Sequence, residues 1–337
     1  MTSSSPIVIV GAGVLGLCTA FELHRRGRAV LVVDPGEVNA SLVAAGMIAP
    51  AMESAIEDVS VDRAQLFRAG RDLWPKFARV AGIALERRPA EWRGGDVEVI
   101  EARLRALGFD ARRDGASVTT DDDCQVEPPQ ALAALKQALG AAVVAGTVTT
   151  IARTDGGWRL KVGDRWLDAE GVVLATGAGD AIIGLPETAR RLIEEIQPIG
   201  GQIGVTAGHL VDHVVRGPGA YVAPMASGAV IGATMEPGRR DTAPDAKASE
   251  RLTQAAWAAL GRSPEPLFIE WRVGIRGATA DGLPLAGAAP GEEGLFMALA
   301  PRRNGWLLGP LVGAVVADAI EGRTASPHAR ALDPGRF

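Results

Sequence analysis

The sequence has 337 residues, enough for two compact lobes, and its hydrophobic content of 47% with a mean hydropathy of +0.13 is ample for a buried core. The net charge of −5 and the pI near 5.5 give no basic field for nucleic acid or anionic lipid, so neither partner is expected. The 2 cysteines form no Cys-x-x-Cys pair and cannot build a disulfide framework, which predicts a soluble protein in a reducing, cytoplasmic setting.

The chain begins with an apolar strand, a glycine-rich turn and a helix. Residues 7–10 read Ile-Val-Ile-Val, and the pattern Gly-x-Gly-x-x-Gly follows directly. Gly11 permits the tight turn, Gly13 lets the backbone approach a pyrophosphate, and Gly16 lets the helix predicted over residues 14–26 pack on the strand. The pyrophosphate would lie on free N–H groups at the helix N-terminus. This pattern predicts cofactor contacts at Gly11, Gly13, Val14, Leu15 and Gly16.

An acidic residue ends the second predicted strand, over residues 29–33. Asp34 stands 18 residues after the last glycine of the turn, where its carboxylate can accept hydrogen bonds from the adenosine ribose. The acid would repel a 2′-phosphate, so NADP is disfavoured. The whole pattern predicts a dinucleotide-binding βαβ unit.

A signal peptide or membrane anchor over residues 7–23 is the alternative. It is disfavoured because no basic residue precedes the run, glycines interrupt it, and it is short for a span.

The next part of the chain leaves the first lobe. Residues 39–50 are small and uncharged, so this segment could be buried against a flat ligand. Helical spacing of apolar residues predicts a helix over residues 62–81, and a charged helix is predicted over residues 96–107. Polar loops are expected up to Asp123. The run Asp121-Asp122-Asp123 lacks the spacing of a calcium loop and is interpreted as a solvated turn.

The chain then alternates between strands and helices. The elements predicted after residue 127 are a helix over 128–139, a strand over 142–144, hairpin strands over 148–154, 158–162 and 166–168, a buried strand from 171, a helix over 246–260 in the strand-rich region 200–277, a strand over 295–298 and a helix over 309–320. The buried strand from 171 ends in small residues, which is typical of a ligand-facing loop. These alternations predict discontinuous domains.

Several separated segments carry a family resemblance. They are residues 11–16 with Asp34, residues 44–50, Gly200-Gly201-Gln202, residues 221–224 (Tyr-Val-Ala-Pro), residues 232–236, and residues 271–284 followed by Arg303-Asn304-Gly305. In order and spacing they resemble the glycine oxidase branch of the D-amino-acid oxidase superfamily of FAD-dependent oxidoreductases. The resemblance spans nearly the whole chain.

This resemblance implies an α/β fold (α+β, two-lobed). A Rossmann-like FAD-binding domain would comprise residues 1–83, 128–196 and 276–337. A discontinuous, strand-rich substrate domain would comprise residues 84–127 and 197–275. A homo-oligomer is left open.

The resemblance also implies FAD, which the glycine pattern alone does not distinguish from NAD. Ala44, Ala45, Gly46 and Met47 would lie along the isoalloxazine ring, and Val148 would hold the adenine through its backbone. Near the pyrophosphate and ribityl chain would pass Ala175, Thr176 and Gly177. Backbone N–H groups would reach the flavin N1/O2 edge from Asn304, Gly305, Trp306 and Leu307, where a helix start stabilises negative charge.

Three side chains match the family's substrate site. The resemblance makes Arg276 the residue that binds the substrate carboxylate, since a guanidinium offers a planar fork of donors. Tyr221 matches the active-site tyrosine, and Arg303 matches a second arginine that lines the site. The alternatives are an ion-pair role for Arg276, a half-buried strand position for Tyr221, and a solvated pair for Arg302 and Arg303.

Departures from the family pattern are concentrated at the substrate positions. Met225 stands where an arginine is common, Gly219 where glycine oxidase has histidine, and Gly277 where the family has proline. Pro301-Arg302 replaces a pair that contains an aromatic residue, and Arg272 adds a charge. The cofactor is therefore assigned more firmly than the substrate.

The expected activity is FAD-dependent oxidation of the CH–NH or CH–NH2 group of a small amino or imino acid, of the glycine, sarcosine or D-amino-acid type. The small-molecule amine and O2 would be the partners, and H2O2 a product. The alternatives are a dehydrogenase that uses another electron acceptor and a non-catalytic flavin-binding partner subunit. No metal is expected, because His209 and His213 lack the glutamate of a zinc-binding helix.

Overall fold

The computed structural model describes residues 5–179, 182–323 and 326–337. Residues 1–4, 180–181 and 324–325, which fall in the ranges predicted for the FAD-binding domain, lie outside the described residues. No helix within the described ranges is both long and apolar enough to cross a membrane.

The chain packs into two units. The first comprises Met1–Leu42, Leu132–Ile199 and Arg276–Phe337, and the second comprises Val43–Ala131 and Gly200–Ile275. Residues 128–131 and 197–199 lie in the other unit from the one predicted. The domain prediction also placed residues 43–83 with the FAD-binding domain, whereas the structure packs them in the second unit. The reason is their shared core, in which Ala51, Met52 and Ala55 are buried with Trp92 and Ile100.

The helices of the described residues follow in chain order. They are α1 (Val14–Arg25), α2 (Ala40–Val43), α3 (Pro50–Ile56), α4 (Val61–Ala81), α5 (Val97–Ala106), α6 (Pro128–Leu139), α7 (Glu187–Glu194), α8 (Ala246–Leu260), α9 (Gly305–Glu321) and α10 (Ala329–Leu332), with short 3-10 helices at Gly140–Ala142 and Pro334–Arg336.

The strands of the described residues are mostly short. They are β1 (Ile7–Val10), β2 (Val30–Asp34), β3 (Met47–Ile48), β4 (Ala90–Arg93), β5 (Arg112–Asp114), β6 (Ser117–Thr120), β7 (Cys124–Gln125), β8 (Val143–Ala145), β9 (Val148–Thr154), β10 (Gly157–Val162), β11 (Arg165–Ala169), β12 (Gly171–Leu174), β13 (Gln197–Thr206), β14 (Val214–Gly217), β15 (Ala220–Met225), β16 (Gly228–Gly232), β17 (Glu236–Pro237), β18 (Ile269–Ala278), β19 (Leu285–Ala288) and β20 (Leu295–Leu299).

A six-stranded sheet forms the centre of the first unit, in the order β19-β20-β12-β1-β2-β8. All neighbours are parallel except the β19–β20 pair. Because β1 lies between β2 and β12, the chain leaves it at a point where the strand order reverses, and ligands bind at such points in open α/β sheets. The Rossmann-like α/β prediction is confirmed. The antiparallel hairpin β9–β10–β11 matches the predicted strands.

Helices α1 and α9 pack closely because small residues face each other. A Cβ on Gly309 would come 3.0 Å from the Cys18 Sγ, and one on Gly313 would come 2.8 Å from the Cys18 carbonyl oxygen. The local pattern began the last helix at residue 309, just before Pro310, whereas the family resemblance put its start at residues 304–307. Helix α9 begins at Gly305 and includes that proline. Packing on α1 supports the extra turn.

The second unit is built on a nine-stranded sheet in the order β17-β13-β16-β15-β14-β4-β6-β5, with β18 paired to β13. The predicted polar loops after residue 107 are wrong in part, since β6 pairs with β4 and buries Val118. A local pattern could not reveal this pairing, because β4 and β6 are joined through α5. Helix α8 covers the sheet at Val215, Val222 and Ile231.

Candidate functional site

The glycine-rich turn has the backbone that its sequence predicts. Gly11 has a φ of 112°, and a Cβ there would overlap the carbonyl oxygen of Ala175. A Cβ on Gly16 would overlap the carbonyl oxygen of Gly11. Both positions therefore require glycine for the packing of β1, β12 and α1.

The N-termini of helices α1 and α9 lie close together beside this turn. The Val14 N–H of α1 donates to Ser41 Oγ at 3.0 Å, and a Cβ on Gly305, the first residue of α9, would lie 3.2 Å from Val14 Cγ1. Neither helix has an acidic residue in its first turn. The positive ends of both helix dipoles therefore favour an anion at this place.

Ser41 was not among the residues predicted from the sequence. Besides accepting from Val14, it accepts a hydrogen bond at its carbonyl oxygen from Trp306 Nε1 at 3.1 Å. Ser41 thus ties the starts of α1 and α9 together. The available signal was a hydroxyl within the small, uncharged segment 39–50.

Asp34 closes the turn from the end of β2. One carboxylate oxygen accepts the Ala12 N–H at 2.6 Å and the other accepts the Gly36 N–H at 2.8 Å. The carboxylate thus holds the backbone of the glycine turn. Its contact with a ribose stays a prediction.

The chain after β12 lies beside the strand that carries Arg276. A Cβ on Gly277 would come 3.0 Å from the Gly177 carbonyl oxygen, and the Arg302 N–H donates to the Gly277 carbonyl at 2.8 Å. The first unit therefore brings the predicted arginines, Arg276 and Arg303, onto neighbouring segments. Both side chains are half-buried.

The remaining predicted cofactor contacts of the first unit are mostly buried residues. Any contact that they make with the cofactor would therefore come mainly from their backbone groups. Val148 begins β9 and is buried, as are Leu15, Trp306 and Leu307. The Ala175 N–H donates to the Val10 carbonyl at 2.9 Å, which carries β12 toward the glycine turn.

In the second unit, Gly46 gives the segment Ala44–Met47 its shape. Its φ is 70°, and a Cβ would overlap the Val126 carbonyl oxygen. The Val126 N–H also donates to the Gly46 carbonyl at 3.0 Å. Ala44 and Met47 are half-buried, whereas Ala45 is buried.

Tyr221 lies on β15, directly opposite Gly232 of β16. A Cβ on Gly232 would overlap the tyrosine ring, so the ring lies across the glycine backbone. Tyr221 is half-buried. The strand position fits both the predicted substrate role and the ordinary strand role, and the substrate role stays a prediction.

A buried charged cluster was missed by the sequence analysis. Arg216 on β14 pairs with Glu53 on α3 at 2.7 Å, and the two residues are 2% and 5% exposed. Arg216 Nη2 also lies 3.3 Å from Met47 Sδ, on the segment predicted to contact the flavin. Isolated charges in a sequence give no sign of such pairing, because Glu53 and Arg216 lie 163 residues apart.

Asp123 corrects the interpretation of residues 121–123 as a solvated turn. Its side chain is 3% exposed, and its oxygens accept the N–H groups of Ala51 at 2.9 Å and Met52 at 3.4 Å. Burial raises the pKa of Asp123 to about 7, while the charge of Arg216 and these hydrogen bonds oppose the shift. Asp123 thus holds the first turn of α3 in place.

Asp123→Asn should reduce the pH dependence of stability between about pH 4 and pH 7. The raised pKa makes the folded state retain a proton that the unfolded chain, near the ordinary value of 3.8, has lost. The contribution of wild-type Asp123 is therefore complete below pH 4, and falls by at most about 1.4 kcal/mol per pH unit up to pH 7. Denaturant unfolding of both proteins across this range measures the difference. Parallel stability curves would contradict the raised pKa.

These features fit FAD. The paired helix starts offer positive dipole ends to a pyrophosphate, and a Cβ on Gly13 would meet only Ser41 Oγ, at 3.4 Å, within 4 Å. A Cβ on Gly177 would meet no atom within 4 Å. The backbone is thus open at two of the predicted contact positions.

The chain belongs to the family of FAD-dependent oxidoreductases named DAO, whose model matches residues 6–319. FAD is accordingly its cofactor, and the predicted enzyme class of flavin-dependent oxidoreductase is confirmed.

Its relatives include glycine oxidases. The glycine oxidase of Geobacillus kaustophilus is 30% identical over 95% of this chain and 94% of that protein. The crystal structure of glycine oxidase from that organism has a TM-score of 0.84 and 26% identity, covering 100% of both chains. The predicted glycine-oxidase-like membership of the D-amino-acid oxidase superfamily is confirmed.

Another relative is longer. The tRNA 5-methylaminomethyl-2-thiouridine biosynthesis bifunctional protein MnmC of Caulobacter sp. strain K31 is 29% identical over 98% of this chain, which spans 57% of that protein's length.

The iminodiacetate oxidase of Chelativorans sp. BNC1 shares the fold with a TM-score of 0.81 at 22% identity, over 96% of this chain and 98% of that one.

Proposed function

We propose that the protein oxidises a small amino or imino acid and uses O2 as the electron acceptor. When bound, FAD would supply the acceptor for the hydride from the substrate Cα and pass the electrons to O2, which yields H2O2. The imine that leaves would hydrolyse to a 2-oxo acid and ammonia or an amine. The glycine oxidase relatives support this substrate class.

The observation that supports the proposal is that the chain segments carrying Arg276 and Arg303 lie next to each other, the first of them beside the loop at Gly177. The contact of Gly277 with Gly177 and the hydrogen bond from Arg302 to Gly277 bring the two arginine segments together. In this proposal Arg276 binds the substrate carboxylate through its fork of donors, which fixes the direction of the Cα–H bond. Arg303 adds positive charge at the same site.

The remaining roles are assigned by the family pattern. In this assignment, Tyr221 donates a hydrogen bond to the carboxylate, and Ala44, Ala45, Gly46 and Met47 present small or flexible side chains to the isoalloxazine ring. Asn304 and Gly305 direct N–H groups from the start of α9 to the N1/O2 edge. No protein base is needed at Cα, because the Cα hydrogen leaves as a hydride when the substrate amine is neutral.

The test is a substrate screen with the purified holoenzyme. Glycine, sarcosine, D-alanine and L-proline are mixed with the protein without oxygen, and flavin bleaching is followed. With oxygen, H2O2 and O2 uptake are measured. We expect bleaching by at least one compound and one H2O2 for each amine oxidised. If the flavin bleaches and an artificial dye acceptor is reduced, but no O2 is taken up, the protein is a dehydrogenase. If the flavin does not bleach, a non-catalytic flavin protein is favoured.

Tyr221→Phe should lower kcat/KM on the order of tenfold, since one hydrogen bond to a charged carboxylate contributes about 1.5 kcal/mol. A phenol is a poor base at neutral pH, so no larger effect is expected. Steady-state kinetics on the best substrate measure the change. A loss beyond about 10⁴-fold would indicate acid–base catalysis by Tyr221. An unchanged kcat/KM would reduce Tyr221 to a strand residue.

A further inference from the structure

A buried glutamine joins two segments that the proposed function assigns to flavin and substrate. Gln125 is 4% exposed. Its Nε2 donates to the Ala45 carbonyl at 3.0 Å and to the Pro224 carbonyl at 2.9 Å. A side-chain amide has two N–H donors, so both bonds can form at once. Ala45 belongs to the predicted isoalloxazine segment, and Pro224 follows Tyr221 on β15.

The backbone around Gln125 already supports the predicted isoalloxazine segment. Met47 pairs with Gln125 and Ile48 pairs with Cys124 in the antiparallel β3–β7 ladder. This two-stranded sheet is separate from the nine-stranded sheet that contains β15. The Gln125 side chain therefore supplies a link between two sheets that the β3–β7 ladder does not provide.

The side chain of Glu127 links the same two parts of the second unit. The Glu127 carboxylate accepts the N–H of Ala226, just after β15, but Glu127 is half-buried and closer to solvent. Gln125 makes the deeper link, and Met225 Sδ lies 3.8 Å from the same Nε2 atom. Loss of the amide would leave two buried carbonyl groups without this donor, which is costly in a dry interior.

We propose that Gln125 is a positioning residue that fixes the Ala44–Met47 segment relative to the strand that carries Tyr221. The inference rests on the proposed function for the roles of these two segments. Hydride transfer depends steeply on the placement of donor and acceptor, so a small shift between the segments would lower kcat. FAD affinity would fall as well, since the isoalloxazine segment would lose part of its support.

The variants Gln125→Glu and Gln125→Leu test this role, with Gln65→Glu as the control at an exposed glutamine of the same unit. Gln125→Glu keeps the shape but removes both donors once its carboxyl is ionised, which burial shifts to higher pH. We expect the Kd for FAD, titrated into apoprotein, to rise about tenfold in both variants, and kcat to fall about tenfold with KM changed less than about threefold. Gln65→Glu should match the wild type.

A pH series separates positioning from a general structural effect. In Gln125→Glu the protonated carboxyl regains one donor, so kcat relative to wild type should recover as the pH is lowered, whereas Gln125→Leu should show no recovery. Wild-type values for FAD Kd and kcat in both variants, with only a lower Tm, would overturn the proposal. If the wild type oxidises no amino acid, the proposed function fails, while a weaker FAD Kd in both variants still supports positioning.

Discussion

Arg276→Ala should lower kcat/KM for the amino acid about 10³-fold, equivalent to roughly 4 kcal/mol, and leave the FAD content unchanged. The expected loss is large because the substrate carboxylate would lose its paired charge and its orientation together. Arg276→Lys keeps the charge but not the planar fork, so an intermediate loss is expected. Steady-state kinetics and the flavin spectrum of each purified variant measure the two quantities.

Arg272→Ala is the matched control, because Arg272 lies on the same strand and pairs with Glu270 at 2.7 Å in a largely exposed position. It should change kcat/KM by less than about threefold, as expected for a surface ion pair. If Arg276→Ala reacts like the wild type, the anchor is another arginine, and Arg303 is the next candidate. An amine without a carboxylate that reacts equally well would exclude a carboxylate anchor.

Gly13→Val should raise the Kd for FAD at least about 100-fold, while the chain still folds. Gly13 has a φ of −72°, which suits any residue, and its Cβ would meet only Ser41 Oγ, at 3.4 Å. The Cβ atom itself therefore causes little steric conflict within the protein. The added side chain would instead fill the space through which the pyrophosphate approaches the backbone.

Two further valine variants make the test specific. Gly156→Val, at an open hairpin position, should retain FAD, since a Cβ there meets no atom within 4 Å. Gly16→Val should destabilise the fold itself, because the new Cβ would overlap the Gly11 carbonyl oxygen. Circular dichroism and Tm report folding, and titration of apoprotein gives the Kd for FAD. Normal FAD binding by Gly13→Val would place the dinucleotide elsewhere.

Much of the first unit could be predicted from local patterns. Apolar runs at β1, β2 and β12, the glycine turn and the terminal Asp34 are signals confined to a few consecutive residues. The start of α9 could not be predicted in the same way, because Pro310 disfavours a helix locally and close packing of Gly309 and Gly313 on α1 outweighs it. The strands β5 and β6 were missed for a similar reason, since β5 pairs with β6, and β6 joins the sheet through β4, which lies on the other side of α5 in the chain.

The amino-acid sequence alone determines the features that a short peptide already contains, such as the freedom of Gly11 to adopt a positive φ and the clearance that Gly16 provides. Only the tertiary structure decides which polar groups become buried together. Gln125 reaches carbonyls 80 and 99 residues away, and Arg216 pairs with Glu53 across 163 residues. Burial and low dielectric constant make those contacts strong, and neither property belongs to any residue before the chain has folded.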